Sequence, residues 1–349
     1  MTGAEHAPIG VGLVGYGTSG ADLHAPLITA EPRLRLRAVV SGRPERVHRD
    51  LPTTPVVPDL AHVLDDPEVE LIVVAAPNDV HHELARAALL ADRHVVVDKP
   101  FTLSTAQADD LIATAARQDR RLSVFHQRRW DADYRTVRHC VQAGVLGRVT
   151  TYIARYDRFR PTVDARDGPR PGAGVLYDLG PHLIDQALHL FGLPDDVLAD
   201  VTAQRAGSDA DDYVHLVLRY GPLRVVLHAG SLVHEPGPRF EVHGDAGTLV
   251  TRGRDGQIAA LLAGRRPGDP GWGAPDDLEF ALSTDVAGLR LAGRLTGLPG
   301  AYQTFYRDLA AALRGDGAVP VDAAQARDAI RVIELARRSS EQERAVPVR

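Results

Sequence analysis

Residues Ile9–Gly20 read IGVGLVGYGTSG, and the fold turns on this stretch. Its first six residues are apolar or glycine and read as a short buried strand. Gly15-x-Gly17-x-x-Gly20 follows at once, and Leu23, Leu27 and Ile28 then recur at helical spacing. A glycine fingerprint is a weak signal alone, but one that ends a strand and opens a helix carries a mechanism. Gly15 makes the tight turn, Gly17 lets the backbone approach a pyrophosphate, and Gly20 permits close helix–strand packing. Thr18 and Ser19 complete the turn, whose unpaired N–H groups and helix dipole favour an anion.

Working outward, strand-like runs at Leu34–Val40, Leu71–Ala76 and His94–Val97 alternate with helical patterns, including His82–Leu90. Such alternation predicts βαβ units and a doubly wound parallel sheet, a Rossmann domain over residues 1–123. From 124 to 340 the pattern changes. Helices are expected over Ala132–Ala143 and Leu179–Phe191, and strands over Val149–Tyr156, Tyr213–Tyr220, Arg224–Ser231 and Phe240–Gly244. The last three are too close in sequence for parallel crossovers, so they are expected to pair as antiparallel neighbours in an α+β domain. Residues 264–277 (GRRPGDPGWGAPDD) read as a surface loop, and Tyr302–Leu313 and Ala323–Ala336 as closing helices.

A chain of 349 residues suits two domains at roughly 150 residues each. A net charge of -6 offers no electrostatic footprint for nucleic acid or an anionic membrane, so a small-molecule partner is expected. The opening MTGAEHAPIG has neither the basic nor the apolar region of a leader, and no run nears the ~20 apolar residues of a membrane span. Cys140 is the single cysteine, which leaves no internal disulfide or thiolate metal cluster and fits a reducing cytoplasm.

The end of the second strand selects the dinucleotide. An acidic residue there would bind the ribose 2′-hydroxyl of NAD; the sequence instead gives Ser41-Gly42-Arg43, whose hydroxyl and guanidinium suit the 2′-phosphate of NADP. Pro77 and Asn78 end the next strand where the cofactor should pass, with His81 and His82 just beyond. Adjacent helical residues point apart, so no metal is expected on that pair. Lys99 closes a further buried strand and faces the nicotinamide end, with Pro100 restricting the backbone of Asp98 and Lys99. Asp178 and His182, four residues apart, would project from one face at a helix start, because Pro181 fits only a first turn.

These residues resemble the Gfo/Idh/MocA oxidoreductase family through GYGTSG (15–20), APNDVHHELA (76–85), DKP (98–100) and YDLGPHLID (177–185). The branch with NADP-dependent scyllo-inositol dehydrogenases is the most similar, through HAPLI (24–28), VFHQRRWD (124–131), GPRFEVHG (237–244) and AGRRPGDPGWG (263–273). The resemblance implies an open-faced, mainly antiparallel second sheet used to form a homodimer or homotetramer, and hydride exchange with a polyol or sugar. It implies catalytic roles for Lys99, Asp178 and His182, cofactor contacts for Asp98, Arg129 and Trp130, and substrate contacts for Gln127 and Arg158. The family usually has glutamate where this chain has Asp98.

The expected activity is oxidation of a secondary alcohol, or its reverse, with NADP or NAD. His182 is the expected acid–base group, Asp178 its orienter and Lys99 the stabiliser of alkoxide charge, although Lys99 and His182 could exchange roles. The alternatives are an NAD-dependent glycosidase of the same architecture and a non-catalytic NADP-binding sensor.

Overall fold

In the computed structural model, which describes residues 7–163, 168 and 170–348, the glycine turn lies at the carboxyl edge of a six-stranded parallel sheet. The opening residues read for a leader lie, through residue 6, outside the described part. The strands are β1 (Ile9–Val14), β2 (Leu34–Val40), β3 (Val56–Val57), β4 (Val69–Val74), β5 (His94–Asp98) and β6 (Leu122–Phe125), in spatial order β3-β2-β1-β4-β5-β6. Helices cover both faces, which requires strands without alternation. Every residue of β1 is buried, as are Leu71–Val74 and Val95–Asp98. The order reverses between β1 and β4, so the glycine turn and the ends of β4 and β5 open onto one crevice, where such sheets bind ligands.

The second sheet has nine strands. They are β7 (Val149–Arg155), β8 (Asp196–Thr202), β9 (Tyr213–Tyr220), β10 (Leu223–Gly230), β11 (Phe240–Gly244), β12 (Gly247–Arg252), β13 (Glu279–Val286), β14 (Leu289–Arg294) and β15 (Val346–Pro347). Their order is β14-β13-β12-β11-β7-β10-β9-β8-β15. Tyr152 and Ala154 of β7 point into the core, and helices Gly180–Phe191 and Ala323–Gln342 lie on that side.

One expected pairing needs correction. β9 and β10 are antiparallel neighbours, but β11 does not pair with β10: β7 lies between them, parallel to β10 and antiparallel to β11. The short-connection argument governs strands joined directly, whereas between β7 and β10 the chain runs through the helical segments Val175–Asp178 and Gly180–Phe191 and through β8 and β9, length enough for a parallel return. The 264–277 segment forms turns, with Trp272 Nε1 donating to Gln303 Oε1 at 2.8 Å.

The closing helices lie partly against the first domain. The helix Ala323–Gln342 packs on the helix Thr105–Arg117 and on β6. Ser123 Oγ donates to the Val321 carbonyl at 2.7 Å, Thr105 donates through its N and Oγ1 to Glu334, and Arg314 grips both oxygens of Glu70. The two sheets are thereby held around their shared crevice.

Gly15 has φ +98, and a Cβ there would lie 2.5 Å from the Ala75 carbonyl oxygen. Replacing Gly15 with alanine should therefore cost more than about 1 kcal/mol, from strained backbone and displaced strand end together. Thermal denaturation checks this; an unchanged Tm would show that the turn is not held as described.

Candidate active site

The crevice between the sheets is a cleft of about 1140 Å³. At one end it is lined by Gly15, Gly17, Thr18 and Ser19, with Ser41 and Arg43 beside them; Pro77, Asn78 and Asp98 follow; Lys99, Gln127, Arg158, Asp178 and His182 line the other end. A Cβ built on Gly17 would meet nothing within 4 Å, so its backbone stands open to the cleft as a close-approaching pyrophosphate requires. The size of the cleft, the open turn and an anion-favouring helix start fit a dinucleotide.

At the far end, parts of the chain remote in sequence converge. Lys99 Nζ donates to the Asp178 carbonyl at 2.8 Å and to Asp178 Oδ1 at 3.0 Å. Arg158 Nη1 donates to Asp178 Oδ2 at 3.2 Å. The Lys99–Pro100 peptide is cis, and Asp98 Oδ1 accepts from the Lys99 N–H at 2.8 Å. Asp178 and His182 do not share one continuous helix: Val175–Asp178 is a short helical turn, and a second helix, Gly180–Phe191, begins with Pro181 in its first turn. Pro181 lacks the N–H that would continue the first segment, which parts the two.

This geometry replaces the expected role of Asp178 as orienter of His182. Both carboxylate oxygens of Asp178 are engaged by Lys99 and Arg158, while His182 Nδ1 is buried with no partner among the described residues. A charge-assisted contact with two cations outweighs one with a neutral imidazole. Burial raises the Asp178 carboxyl, but Lys99 and Arg158 override that and hold it well below the usual carboxylate range. Burial drives His182 far below an ordinary histidine, reinforced by Arg128 and Lys99, so its imidazole is neutral at pH 7.

Residues 9–126 match the description "Oxidoreductase family, NAD-binding Rossmann fold", and residues 138–348 match "Oxidoreductase family, C-terminal alpha/beta domain". The chain belongs to the Gfo/Idh/MocA oxidoreductase family. It is 39% identical to the scyllo-inositol 2-dehydrogenase (NADP(+)) IolW of Bacillus subtilis strain 168, covering 97% of this chain and 95% of that one. It is 43% identical to the oxidoreductase YdgJ of Escherichia coli strain K12, covering 94% and 95%. Its fold superimposes on the structure of the Bacillus subtilis oxidoreductase YvaA with a TM-score of 0.94, at 39% identity and 98% coverage of both chains. The protein is thus an NAD(P)-binding oxidoreductase. Among the described residues, no helix is long and apolar enough to cross a membrane.

Against this Gfo/Idh/MocA framework, some expected contacts lie outside the cleft lining. Arg129 is buried and forks onto Asp185, with Nη2 to Oδ1 at 2.6 Å and Nε to Oδ2 at 2.8 Å, and its Nη1 reaches Gln325. Trp130 packs edge-on against Phe305 and offers its carbonyl to Ala301 and Gln257. His81 is buried too, its ring nitrogens 2.9 Å from the carbonyls of Pro100 and Ala76, so it ties two cleft-lining turns together from behind. Gly20 sits under the turn, packed on the Gly15 carbonyl.

Arg128 is the residue that sequence reasoning passed over. It lines the cleft, donates to Asp131 at 3.0 Å and stacks over Tyr156 at 4.7 Å, and its Nε is buried without a partner among the described residues. The tight 3₁₀ turn Gln127–Trp130 sends neighbouring side chains opposite ways, which puts Arg128 in the cleft and Arg129 in the core. Two consecutive arginines carry no spacing signal that distinguishes them.

Removing Arg129 by substitution with alanine would leave the buried Asp185 carboxylate without its fork, at a cost of about 3–5 kcal/mol. Chemical denaturation should show that loss, and equilibrium titration should find dinucleotide affinity of the folded protein unchanged. An unaltered midpoint with weakened dinucleotide binding would return Arg129 to the cofactor site.

Proposed function

We propose that this oxidoreductase interconverts a secondary alcohol and a ketone on a polyol or sugar, inositol-like or an aldose, using NADP in preference to NAD. The observation that carries the reading is the meeting of Lys99, from the first domain, with Asp178 and His182, from the second, in the cleft that the glycine turn opens. Similarity to a relative named as an NADP-dependent scyllo-inositol 2-dehydrogenase supports the substrate class. Ser41 and Arg43, cleft-lining and with no acid between them, support the 2′-phosphate. We assign cofactor binding to residues 1–123 and substrate and subunit contacts to 124–340. The single cysteine fits a cytoplasmic setting and the family resemblance a homodimer or homotetramer.

Bound nicotinamide supplies the hydride acceptor or donor. The protein then has to place a hydroxyl, stabilise its oxygen as charge develops, and take its proton. Lys99 does the second, because its ammonium is already aimed by Asp178 and needs no reorganisation at the moment of reaction. His182 does the third: burial and surrounding cations keep its imidazole neutral, the form that accepts a proton. Arg158 neutralises the remainder of the Asp178 charge, and Gln127 presents a buried Oε1 with no partner among the described residues to the cleft. Asp98, His81 and Pro100 fix the backbone from which Lys99 projects.

A screen of purified protein against inositols and aldoses with NADP and NAD, followed at the absorbance of the reduced nicotinamide, tests this directly. Polyol-dependent reduction of NADP is expected. Lys99→Met should then lower turnover about 100-fold or more while cofactor affinity holds. Release of free sugar without net absorbance change, or undiminished turnover in the variant, would contradict the proposal.

A further inference from the structure

Behind the lysine lies a second group of polar side chains that none of these roles uses. His24, on the helical segment that follows the glycine turn, is fully buried. Its Nδ1 is 2.6 Å from the hydroxyl of Tyr306, on the helix Gln303–Leu313 of the second domain, and its Nε2 is 3.8 Å from Oδ1 of Asp98. Nε2 has no hydrogen-bond partner among the described residues. Phe125 lies 4.2 Å from the imidazole, centroid to centroid, and 5.9 Å from the Tyr306 ring, fixing both aromatic planes.

The protonation pattern follows from the contacts. If Nδ1 alone carried the proton, the Nε2 lone pair would face a buried carboxylate with nothing between them, an uncompensated repulsion in a low-dielectric site. A Tyr306 hydroxyl that donates to Nδ1 puts the proton on Nε2, pointing at Asp98; a doubly protonated ring does the same. The carboxylate so faced is the one whose Oδ1 holds the Lys99 N–H. Burial would raise the Asp98 carboxyl, yet His24, Lys99 and Ser19 bring it down to about 2. Aspartate is one methylene shorter than glutamate, and the imidazole of His24 stands behind it, Nε2 at 3.8 Å from Oδ1.

We infer that Tyr306 and His24 are positioning residues: Tyr306 sets the imidazole, His24 faces Asp98 with an N–H, and Asp98 holds the main chain of Lys99 and the Ser19 side of the phosphate turn. This deepens the proposed function and rests on it. It also gives the second domain a second grip on the lysine, through Tyr306, beside the direct one through Asp178.

The test pairs spectroscopy with kinetics. In long-range 1H–15N spectra of the whole protein labelled at histidine, the His24 ring should carry a proton on Nε2, and its Nδ1 resonance should shift in Tyr306→Phe. In that variant kcat should fall about tenfold with little change in either KM, as expected when a reacting group is misplaced by a fraction of an ångström. His24→Leu should show the same loss and His24→Gln, which keeps an N–H near the Nε2 position, should recover most of it. A proton on Nδ1 alone, or a folded Tyr306→Phe whose only defect is a lowered Tm, would overturn the inference. A wild-type protein that turned over no polyol would overturn the functional reading instead, while the His24 tautomer would still decide this one.

Discussion

The ammonium of Lys99 meets the carboxylate of Asp178 at 3.0 Å across the join between two domains, and the architecture of the cleft follows from keeping that pair in place. Lys99 cannot leave the carboxyl end of β5 without unravelling a strand buried on both faces, and Asp178 cannot follow it far because a new helix begins at Gly180, two residues later. Lysine is half-sheltered here and its partner more open, which leaves room for a third group, the substrate oxygen, to share the ammonium. A lysine held by a carboxylate on one side and open on the other is already organised to meet developing negative charge.

The surrounding charges then sort the roles. Asp178 lies between two cations and stays ionised; His182, a turn further on, is surrounded by burial and by Arg128 and Lys99 and stays neutral. Both groups are shifted downward, which leaves the carboxylate charged and the imidazole neutral and so separates an electrostatic role from a proton-accepting one. The closing helices hold the domains at the distance this needs, through Glu334 on Thr105, Val321 on Ser123 and Arg314 on Glu70.

Much of this was legible in the sequence because it rests on local patterns. β2, β9 and β11 fall within the runs that periodicity marks, and the glycine turn and Lys99–Pro100 sit where a strand must end. Less legible were features set by distant partners. β14 is exposed along its whole length and β8 alternates only in part, so neither carries a strong strand signal, and the place of β7 between β10 and β11 depends on which strands meet across the sheet. The helix expected to end at Ala336 runs to Gln342, where the buried Ser339 hydroxyl accepts from the Ala199 N–H and donates to the Arg344 carbonyl, contacts invisible to apolar spacing. At the site, residue types and cleft position were readable, but the pairing of Asp178 with Lys99 and Arg158 rather than with His182 needed coordinates, as did the separation of Arg128 from Arg129.

The most direct measurement is a crystal structure of the protein with NADPH and a polyol bound. Lys99 Nζ and a ring nitrogen of His182 are expected within about 2.6–3.2 Å of one substrate oxygen, with the adjoining carbon over C4 of the nicotinamide. A substrate oxygen held by neither group, or Lys99 and His182 on opposite sides of the nicotinamide ring, would contradict it.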